Sequence, residues 1–509
     1  MVPNGSSTPH SATPSLCDTK LSSKTKVDVE ASLPVPEKAI SSSVEPNFSS
    51  PTGWRKVAII SVLCSAQFFD IFNACASITA LPSIGEHLGF TSGVLQWVLA
   101  AYTLTFGALQ VPAGRLSDIY HPKPVFCIGY LALGIFSILC AVSVHPIMLI
   151  VFRAMSGIGA AMTIPSAIAM IVQTFRDPAE QSFVLGLYGA AGAVGNASGF
   201  VIGGIVSAKA SWRWVFYIIA IAAIPFSILA ALFLPRTAIE ARDAKRELDL
   251  PGISVLTAGL ILFVYALSDS NDQGWGSPQI IVTLILSAVF LAAFFFIERI
   301  VKDPALPPKT WRLKNFAAMF FYSLSPYWNL FAMEVQMTSV FQDLWMWSPF
   351  KSALHFLPLG ITGAIVTTLT GAYGHLVPRR IALAVGQLFM LTASVLFALA
   401  STPDRYWSYI VPGMILNMIG LGVSYTGAIS TTMAGAPKGE EGVVSAVLYT
   451  IFQVGSTLGI AVAGAISLGV NEKLPLDPIS QHTGYAASFW SLVGMHGLMT
   501  IIAVIFVKD

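Results

Sequence analysis

Fourteen apolar stretches dominate this 509-residue chain, each near or above the roughly 20 residues that a helix needs to cross hydrocarbon. They run at about 57–80, 95–113, 124–143, 146–173, 183–207, 214–234, 252–269, 279–299, 315–340, 353–375, 381–400, 408–432, 442–468 and 487–507. Charged residues make up 11% of the chain, against about 25% in a soluble domain, and mean hydropathy is +0.71. A chain so poor in charge cannot cover itself with polar surface in water. The expected fold is an all-α polytopic membrane protein. Its net charge of +2 offers no basic face to a nucleic acid.

Lysine and arginine set the direction of threading. With the N-terminus in the cytoplasm, 22 of the 28 basic residues fall on the cytoplasmic side, five fall outside, and Arg153 lies within a helix. A wrong helix count would scramble that asymmetry, so both termini are expected in the cytoplasm. Residues 1–52 are rich in Ser, Thr, Pro and Lys without hydrophobic periodicity, and read as a disordered cytoplasmic tail. The tail has no apolar run near its start, so no cleaved signal is expected and the first membrane helix serves for targeting. Asn4, Asn47 and Asn196 begin Asn-x-Ser/Thr triplets, and none should be glycosylated in this topology. Cys17, Cys64, Cys75, Cys127 and Cys140 show no CxxC spacing and read as small hydrophobes. No metal or cofactor is expected.

The chain repeats itself. Segment 2 ends in Gly114-Arg115-Leu116-Ser117-Asp118-Ile119-Tyr120-His121-Pro122-Lys123, and segment 10 in Gly371-Ala372-Tyr373-Gly374-His375-Leu376-Val377-Pro378-Arg379-Arg380. Each has a leading glycine, a proline turn and a terminal base, and each follows the second helix of a six-helix block. Two related six-helix halves around a central cavity are a known plan for carriers. The expected organisation is a tail at 1–52, one half at 53–234, a linker with an inserted helix pair at 235–313, and a second half at 314–509.

Polar residues inside the apolar segments mark the candidate site. Gln67, Asp70 and Asn73 lie at i, i+3 and i+6 and share one helix face. An ionisable group in hydrocarbon is costly and lines a pathway or faces a partner charge. At about 1.5 Å per residue, Asp70 lies about 15 Å and Arg153 about 10 Å below the outer ends of their helices. They are expected to face one cavity and to interact directly or through water. Glu334, near the outer end of segment 9 with Gln336 close by, reads either as a second protonation or substrate site or as a hydrated interfacial group. Ser445, Tyr449, Gln453 and Ser456 form a stripe at helical spacing, expected opposite the Gln67 face or in ordinary interhelical hydrogen bonds. His355 and His496 read as packing residues.

Four motifs bring a resemblance. Asp70 to Pro82 pairs an acidic residue with an Ala-Leu-Pro ending, and Trp97 and Tyr102 follow in helix 2. The loop after helix 2 matches Gly-x-Leu-Ala-Asp-Arg-x-Gly-Arg-Lys at Gly114, Leu116, Asp118 and Lys123, with Ile119, His121 and Pro122 in place of Arg, Gly and Arg. Helix 4 carries Arg153, Gly157 and Gly159. Helix 5 carries Gly186, Gly195, Gly199, Gly203 and Gly204, with Phe200 where Pro is usual. Shorter matches are Trp212-Arg213-Trp214, Asp249-Leu250-Pro251-Gly252, Phe341-Gln342, Ser348-Pro349 and Leu357-Pro358, with Ile219 in place of Asn. From about 57 to 507 the sequence resembles the major facilitator superfamily, and within it the fungal branch of the fourteen-helix drug:proton antiporters.

The resemblance implies two six-helix halves plus two inserted central helices. It implies proton coupling through Asp70 and Arg153. The substrate cavity is expected at Gln67, Asn73, Tyr102, Glu334, Tyr449 and Gln453. Gating is expected at Gly114, Asp118, Gly195, Gly199, Gly203 and Gly204, with Asp118 facing the start of helix 13 near 440–445 and the helix-5 glycines forming a sliding surface. The helix-5 motif is held to mark exporters. The expected function is proton-driven export of small amphipathic organic compounds by a monomer in the plasma membrane, with a vacuolar or vesicle membrane as alternative. An uptake carrier or facilitator for a small nutrient or ion, and a non-transporting sensor, are the competing classes. No Gly-x-x-x-x-Gly-Lys-Ser/Thr, His-Glu-x-x-His or Gly-x-Ser-x-Gly sequence supports an ATP-driven pump or an enzyme.

Overall fold

The computed structural model describes residues 53–90, 92–95, 97–235, 249–304, 306, 308–475 and 477–508. The expected tail at 1–52, with Asn4, Asn47 and Cys17, lies outside the described residues, as does most of the linker before the inserted pair. No strand occurs among the described residues. Among the described residues fourteen main helices follow one another: α1 (Gly53–Leu88), α2 (Trp97–Tyr120), α3 (Pro122–Ala141), α4 (Pro146–Thr174), α5 (Pro178–Lys209), α6 (Arg213–Phe233), α7 (Leu250–Gln273), α8 (Pro278–Ile297), α9 (Leu324–Ser339), α10 (Leu357–Tyr373), α11 (Arg379–Leu399), α12 (Val411–Ala434), α13 (Glu441–Asn471) and α14 (Pro478–Phe506). Twelve described helices are long and apolar enough to cross a membrane, and the protein is a multi-pass membrane protein. The two main helices outside that count, α2 and α9, carry the buried polar residues Gln110, Arg115, Asn329, Glu334 and Gln336. Tyr120 is the one exposed residue of α2 and Val335 that of α9, so both helices face mainly other helices.

Local sequence explains where helices begin and break. Proline opens α3, α4, α5, α8 and α14, where its missing N–H is no loss. Asp177, Asp249 and Asp477 cap α5, α7 and α14 through the backbone N–H groups of Glu180, Gly252 and Ser480. The apolar run at 315–340 is not one helix. It breaks at Ser323 between Phe316–Tyr322 and α9, because the Pro326 ring clashes with the carbonyl four residues back. Pro358 breaks α10 from the short helix Pro349–His355 in the same way.

The helix pairings repeat eight helices apart. Within the first six helices α1 packs on α5, α2 on α4, α3 on α4, and α3 on α6. Within the last six α9 packs on α13, α10 on α12, α11 on α12, and α11 on α14. The seams between the two sets obey the same rule, since α2 meets α13 and α5 meets α10. The two loop motifs that repeat in the sequence lie at these seams. A methyl group on Gly114 would strike the Gly442 backbone and the Ala446 side chain in α13, and one on Gly371 would lie 2.6 Å from Gly186 Cα in α5. Small residues at these points let the helices approach. Of the inserted pair, α7 packs on both α2 and α13, and α8 packs on α7 with Ile285, Val289 and Phe296 turned outward.

Candidate functional site

Gln67, Asp70 and Asn73 share the buried face of α1, as their spacing requires. Asp70 accepts a hydrogen bond from the Tyr102 hydroxyl of α2 at 2.8 Å. Arg153 of α4, 1% exposed, donates through Nη1 to Asn73 Oδ1 and through Nε to the Val98 carbonyl, both at 2.8 Å. Its guanidinium also lies 4.6 Å from the centre of the Tyr102 ring and 5.6 Å from that of Phe216. Asp70 and Arg153 therefore form no direct ion pair. Tyr102 links them, by its hydroxyl to the acid and by its ring to the base. Arg153 Nη2 and Asn73 Nδ2 are buried without a partner. The glycines after Arg153 make this packing possible. A methyl on Gly157 would lie 2.5 Å from the Tyr102 carbonyl oxygen, and one on Gly159 2.6 Å from the Leu133 amide.

A second cluster joins the two six-helix sets. Gln67 Nε2 donates to the Tyr327 hydroxyl of α9 at 3.0 Å, and the Tyr449 hydroxyl of α13 donates to Gln67 Oε1 at 3.4 Å. The Tyr449 and Tyr425 hydroxyls are hydrogen-bonded to each other. The Tyr327 and Tyr425 rings stack at 6.0 Å and 5°. Sequence reasoning found Gln67 and Tyr449 but missed Tyr327 and Tyr425. A tyrosine in an apolar segment gives no sign of its partner, and the two meet only through the pairing of α9 with α12.

The third cluster holds Glu334. It is 3% exposed, so it is not a hydrated interfacial group. Its Oε1 accepts from Asn196 Nδ2 of α5 at 2.7 Å, while Glu334 Oε2 and Asn196 Oδ1 are buried without partners. The Asn196 glycosylation triplet is thereby inside the protein.

A cavity of about 50 Å³ lies between these last two clusters. It is walled by Gln67, Asn196, Tyr327, Tyr425, Gly363 and Met418, among others. That is room for a few water molecules. Of the six expected cavity residues, Gln67 lines it. Tyr449 bonds to Gln67 and Glu334 to Asn196. Asn73 and Tyr102 belong to the Arg153 cluster, and Gln453 packs on Gly107 of α2.

The expected gating residues separate into three groups. Asp118 receives the Gly442 N–H at 2.9 Å and the Val443 N–H at 2.8 Å, and so caps α13 from the opposite helix set. At the same membrane face Gln173 of α4 reaches Glu441 at 3.4 Å. Gly195, Gly199 and Gly203 pack on Phe68, Phe72 and Ala76 of α1, within their own helix set. The seam from α5 to α10 uses Gly186, Gly189, Ala193 and Ala197 instead. Gly204 has no neighbour within 4 Å of where a methyl would stand. His355 bonds to the Lys351 carbonyl and packs on Trp347, and His496 bonds to Gln387 and Asn329. Among the described residues no group of His, Cys, Asp and Glu could hold a metal ion.

The two seams, the repeated pairing, and a buried acid and base within the first helix set are the anatomy of a membrane carrier of small molecules. The model of the Major Facilitator Superfamily matches residues 63–460, and the chain belongs to that family. It is 33% identical to the puromycin resistance protein pur8 of Streptomyces alboniger, over 80% of this chain and 81% of that one. It is 28% identical to the Major facilitator superfamily multidrug transporter mfsC of Aspergillus fumigatus, over 86% and 85%. It is also 28% identical to a low affinity ammonium transporter of Saccharomyces cerevisiae, over 88% and 87%. In fold it resembles the crystal structure of the human organic anion transporter MFSD10, with a TM-score of 0.64 and 16% identity, covering 89% of this chain and all of that one. The protein is a transporter and not an enzyme.

Proposed function

We propose that this transporter exports small amphipathic organic compounds in exchange for protons. The observation that carries the reading is the Asp70 site. A carboxyl group is buried in a membrane helix without an ion pair, one tyrosine away from a buried guanidinium. Such a group holds a proton in one state and a charge in another, and any ligand that distinguishes two states shifts their balance. Protonation of Asp70 weakens the bond from Tyr102, since a bond to a charged acceptor is about twice as strong as a neutral one. Tyr102 then shifts against Arg153 and α4.

On this reading residues 53–234 and 314–509 are the halves that rock about the centre, and 235–313 supplies the inserted pair. Asp118 latches the α13 end while the other side opens. The Gln67, Tyr327, Tyr425 and Tyr449 cluster parts as the cavity widens. Glu334 is a second polar contact for cargo. The glycines of α5 that pack on α1 keep those two helices moving as one body. On this reading both termini lie in the cytoplasm, which the bias of basic residues supports, and the working unit is a monomer in the plasma membrane or a vacuolar membrane. Fungal secondary metabolites, glycolipids, toxins and drugs fit such a cavity.

The test is efflux from yeast lacking its own pumps. Cells are loaded with fluorescent or toxic amphiphiles, and wild type is compared with Asp70→Asn, with and without a protonophore. Efflux that needs both Asp70 and the gradient is the expected result. The likeness to an ammonium transporter supports a second reading, uptake of a small ion. Net accumulation in the same cells would establish it and overturn export.

A further inference from the structure

Two polar side chains lie fully buried on the faces that α2 and α4 turn toward α13, and neither has a hydrogen-bond partner among the described residues. Gly107, Gln110, Gly114 and Asp118 follow at helical spacing and form one stripe of α2. The other three members of the stripe all meet α13. Gly107 lies against Thr450 and Gln453, Gly114 against Gly442 and Ala446, and Asp118 against the Gly442 and Val443 N–H groups. Gln110 stands between them, 0% exposed, with Nε2 and Oε1 both unpartnered. On α4, Ser166 shares a face with Gln173, which reaches Glu441 of α13. Ser166 is also fully buried, and its Oγ is unpartnered. Ser445 of α13 serves neither group, since its hydroxyl turns to the carbonyls of Gly442 at 2.9 Å and Pro165 at 3.5 Å. A buried amide with no bond at either end calls for a cause.

Its position supplies one. Gln110 lies about 12 Å along α2 from Asp118, and Ser166 about 10 Å along α4 from Gln173. One turn of α13 beyond Ser445, the Tyr449 hydroxyl bonds to Tyr425 and Gln67, which wall the central cavity. Gln110 and Ser166 thus stand between that cavity and the Asp118 face.

We propose that Gln110 and Ser166 form a cargo subsite, covered while α13 packs on α2 and α4 and uncovered when Asp118 releases α13. The ligand class is an uncharged hydrogen-bonding head, a carboxamide or a hydroxyl, on an apolar body. The Gln110 amide offers a donor and an acceptor side by side, and the Ser166 hydroxyl offers either. A carboxamide head pairs with Gln110 reciprocally, its N–H donating to Oε1 and its C=O accepting from Nε2. Leaving both groups unsatisfied raises the energy of the closed state, so a head that satisfies them favours the open one. This inference rests on the reading of the protein as an exporter of amphiphiles whose halves rock apart.

The test uses the full chain in lipid nanodiscs, where both membrane faces are accessible. Ser166→Cys is labelled with a charged methanethiosulfonate reagent, and wild type sets the background from native cysteines. Asp118→Ala should speed labelling severalfold. Lauramide in saturating excess should slow it about tenfold, as occupancy of a binding site requires, and dodecane should not. In Gln110→Leu the label should still react and lauramide should no longer slow it. The thermal midpoint of Gln110→Leu should rise, because a buried amide without a partner is removed. A fall would make Gln110 a structural residue and overturn the subsite. No labelling in the Asp118→Ala background, from Ser166→Cys or from Gln110→Cys as a second reporter, overturns it as well. So does labelling that lauramide leaves unchanged, which would mean that only water reaches the two groups, or equal slowing by dodecane. Gradient-driven efflux from yeast is read separately. Lauramide protection without such efflux keeps the subsite and removes the exporter, and efflux without protection does the reverse.

Discussion

The Tyr102 hydroxyl donates to Asp70 at 2.8 Å. The same ring lies against Arg153, so the tyrosine, rather than a direct ion pair, joins the acid to the base. A hydrogen bond to a charged group contributes about 1.5–3 kcal/mol. Tyr102→Phe keeps the ring and removes only that bond. It should lower proton-coupled transport by roughly tenfold or more, since about 1.4 kcal/mol is a factor of ten. Asp70→Asn should abolish coupling. The double variant should be no worse than Asp70→Asn alone, as expected for residues acting as one unit. Additive losses in a proton-driven flux assay would separate the two residues.

Asp118 caps α13 from across the seam, and α13 has no side-chain cap of its own. The first N–H groups of a helix are otherwise orphaned, and a carboxylate there also meets the positive end of the helix dipole. Loss of such a cap costs about 0.5–2 kcal/mol. Asp118→Ala should loosen this face of the protein. The readout is the disulfide yield of a Gln173→Cys/Glu441→Cys pair, whose native side chains meet at 3.4 Å. The yield should fall severalfold in Asp118→Ala and recover in Asp118→Glu if the cap matters. An unchanged yield would remove Asp118 from the latch.

Much of this was legible in the sequence, and the limit has a physical cause. Helix existence follows from apolar length, so a main helix overlaps each of the fourteen apolar segments. Faces along one helix follow from spacing, so Gln67, Asp70 and Asn73 were correctly placed together. Contacts between helices do not follow from spacing. Depth along the membrane put Asp70 and Arg153 at compatible levels, yet it could not show that Asn73, one turn on, receives the guanidinium. Glycine spacing identified α5 as a close-packing helix. It could not say that Gly195, Gly199 and Gly203 face α1, while Gly186 and Gly189 face α10 and α12.

That division gives a sharp contrast between two glycines of one motif. At Gly199 a methyl would lie 2.8 Å from Cys75 Cβ and 2.9 Å from the Phe72 carbonyl oxygen, whereas at Gly204 it would meet open space. Overpacking a tight contact costs about 1–3 kcal/mol. Gly199→Ala should therefore lower the thermal midpoint of the purified protein and reduce transport. Gly204→Ala should leave transport unchanged and stability equal or slightly higher, because alanine favours the helix by about 1 kcal/mol over glycine. Equal losses in both variants would mean that the motif acts as a whole rather than through its packed positions.

His121 joins α2 to α3 with φ 73° and ψ 141°. It stands where the resembled loop pattern has glycine, and the backbone explains the pattern, since this region of φ and ψ is almost confined to glycine. A side chain held there costs about 1–3 kcal/mol. The strain is sustained by neighbours on both sides. Asp118 is fixed to α13 three residues before, and Lys123 is fixed to the Leu234 carbonyl at 2.6 Å two residues after. His121→Gly relieves the strain but frees the unfolded chain, which offsets about 0.4–1 kcal/mol of the gain. The expected net effect is a stabilisation of about 1 kcal/mol, seen as a rise of a few degrees in the thermal midpoint. His121→Ala, which keeps a Cβ in the same conformation, should show no such rise. If alanine stabilised as much as glycine, the imidazole and not the backbone would be the source of the strain.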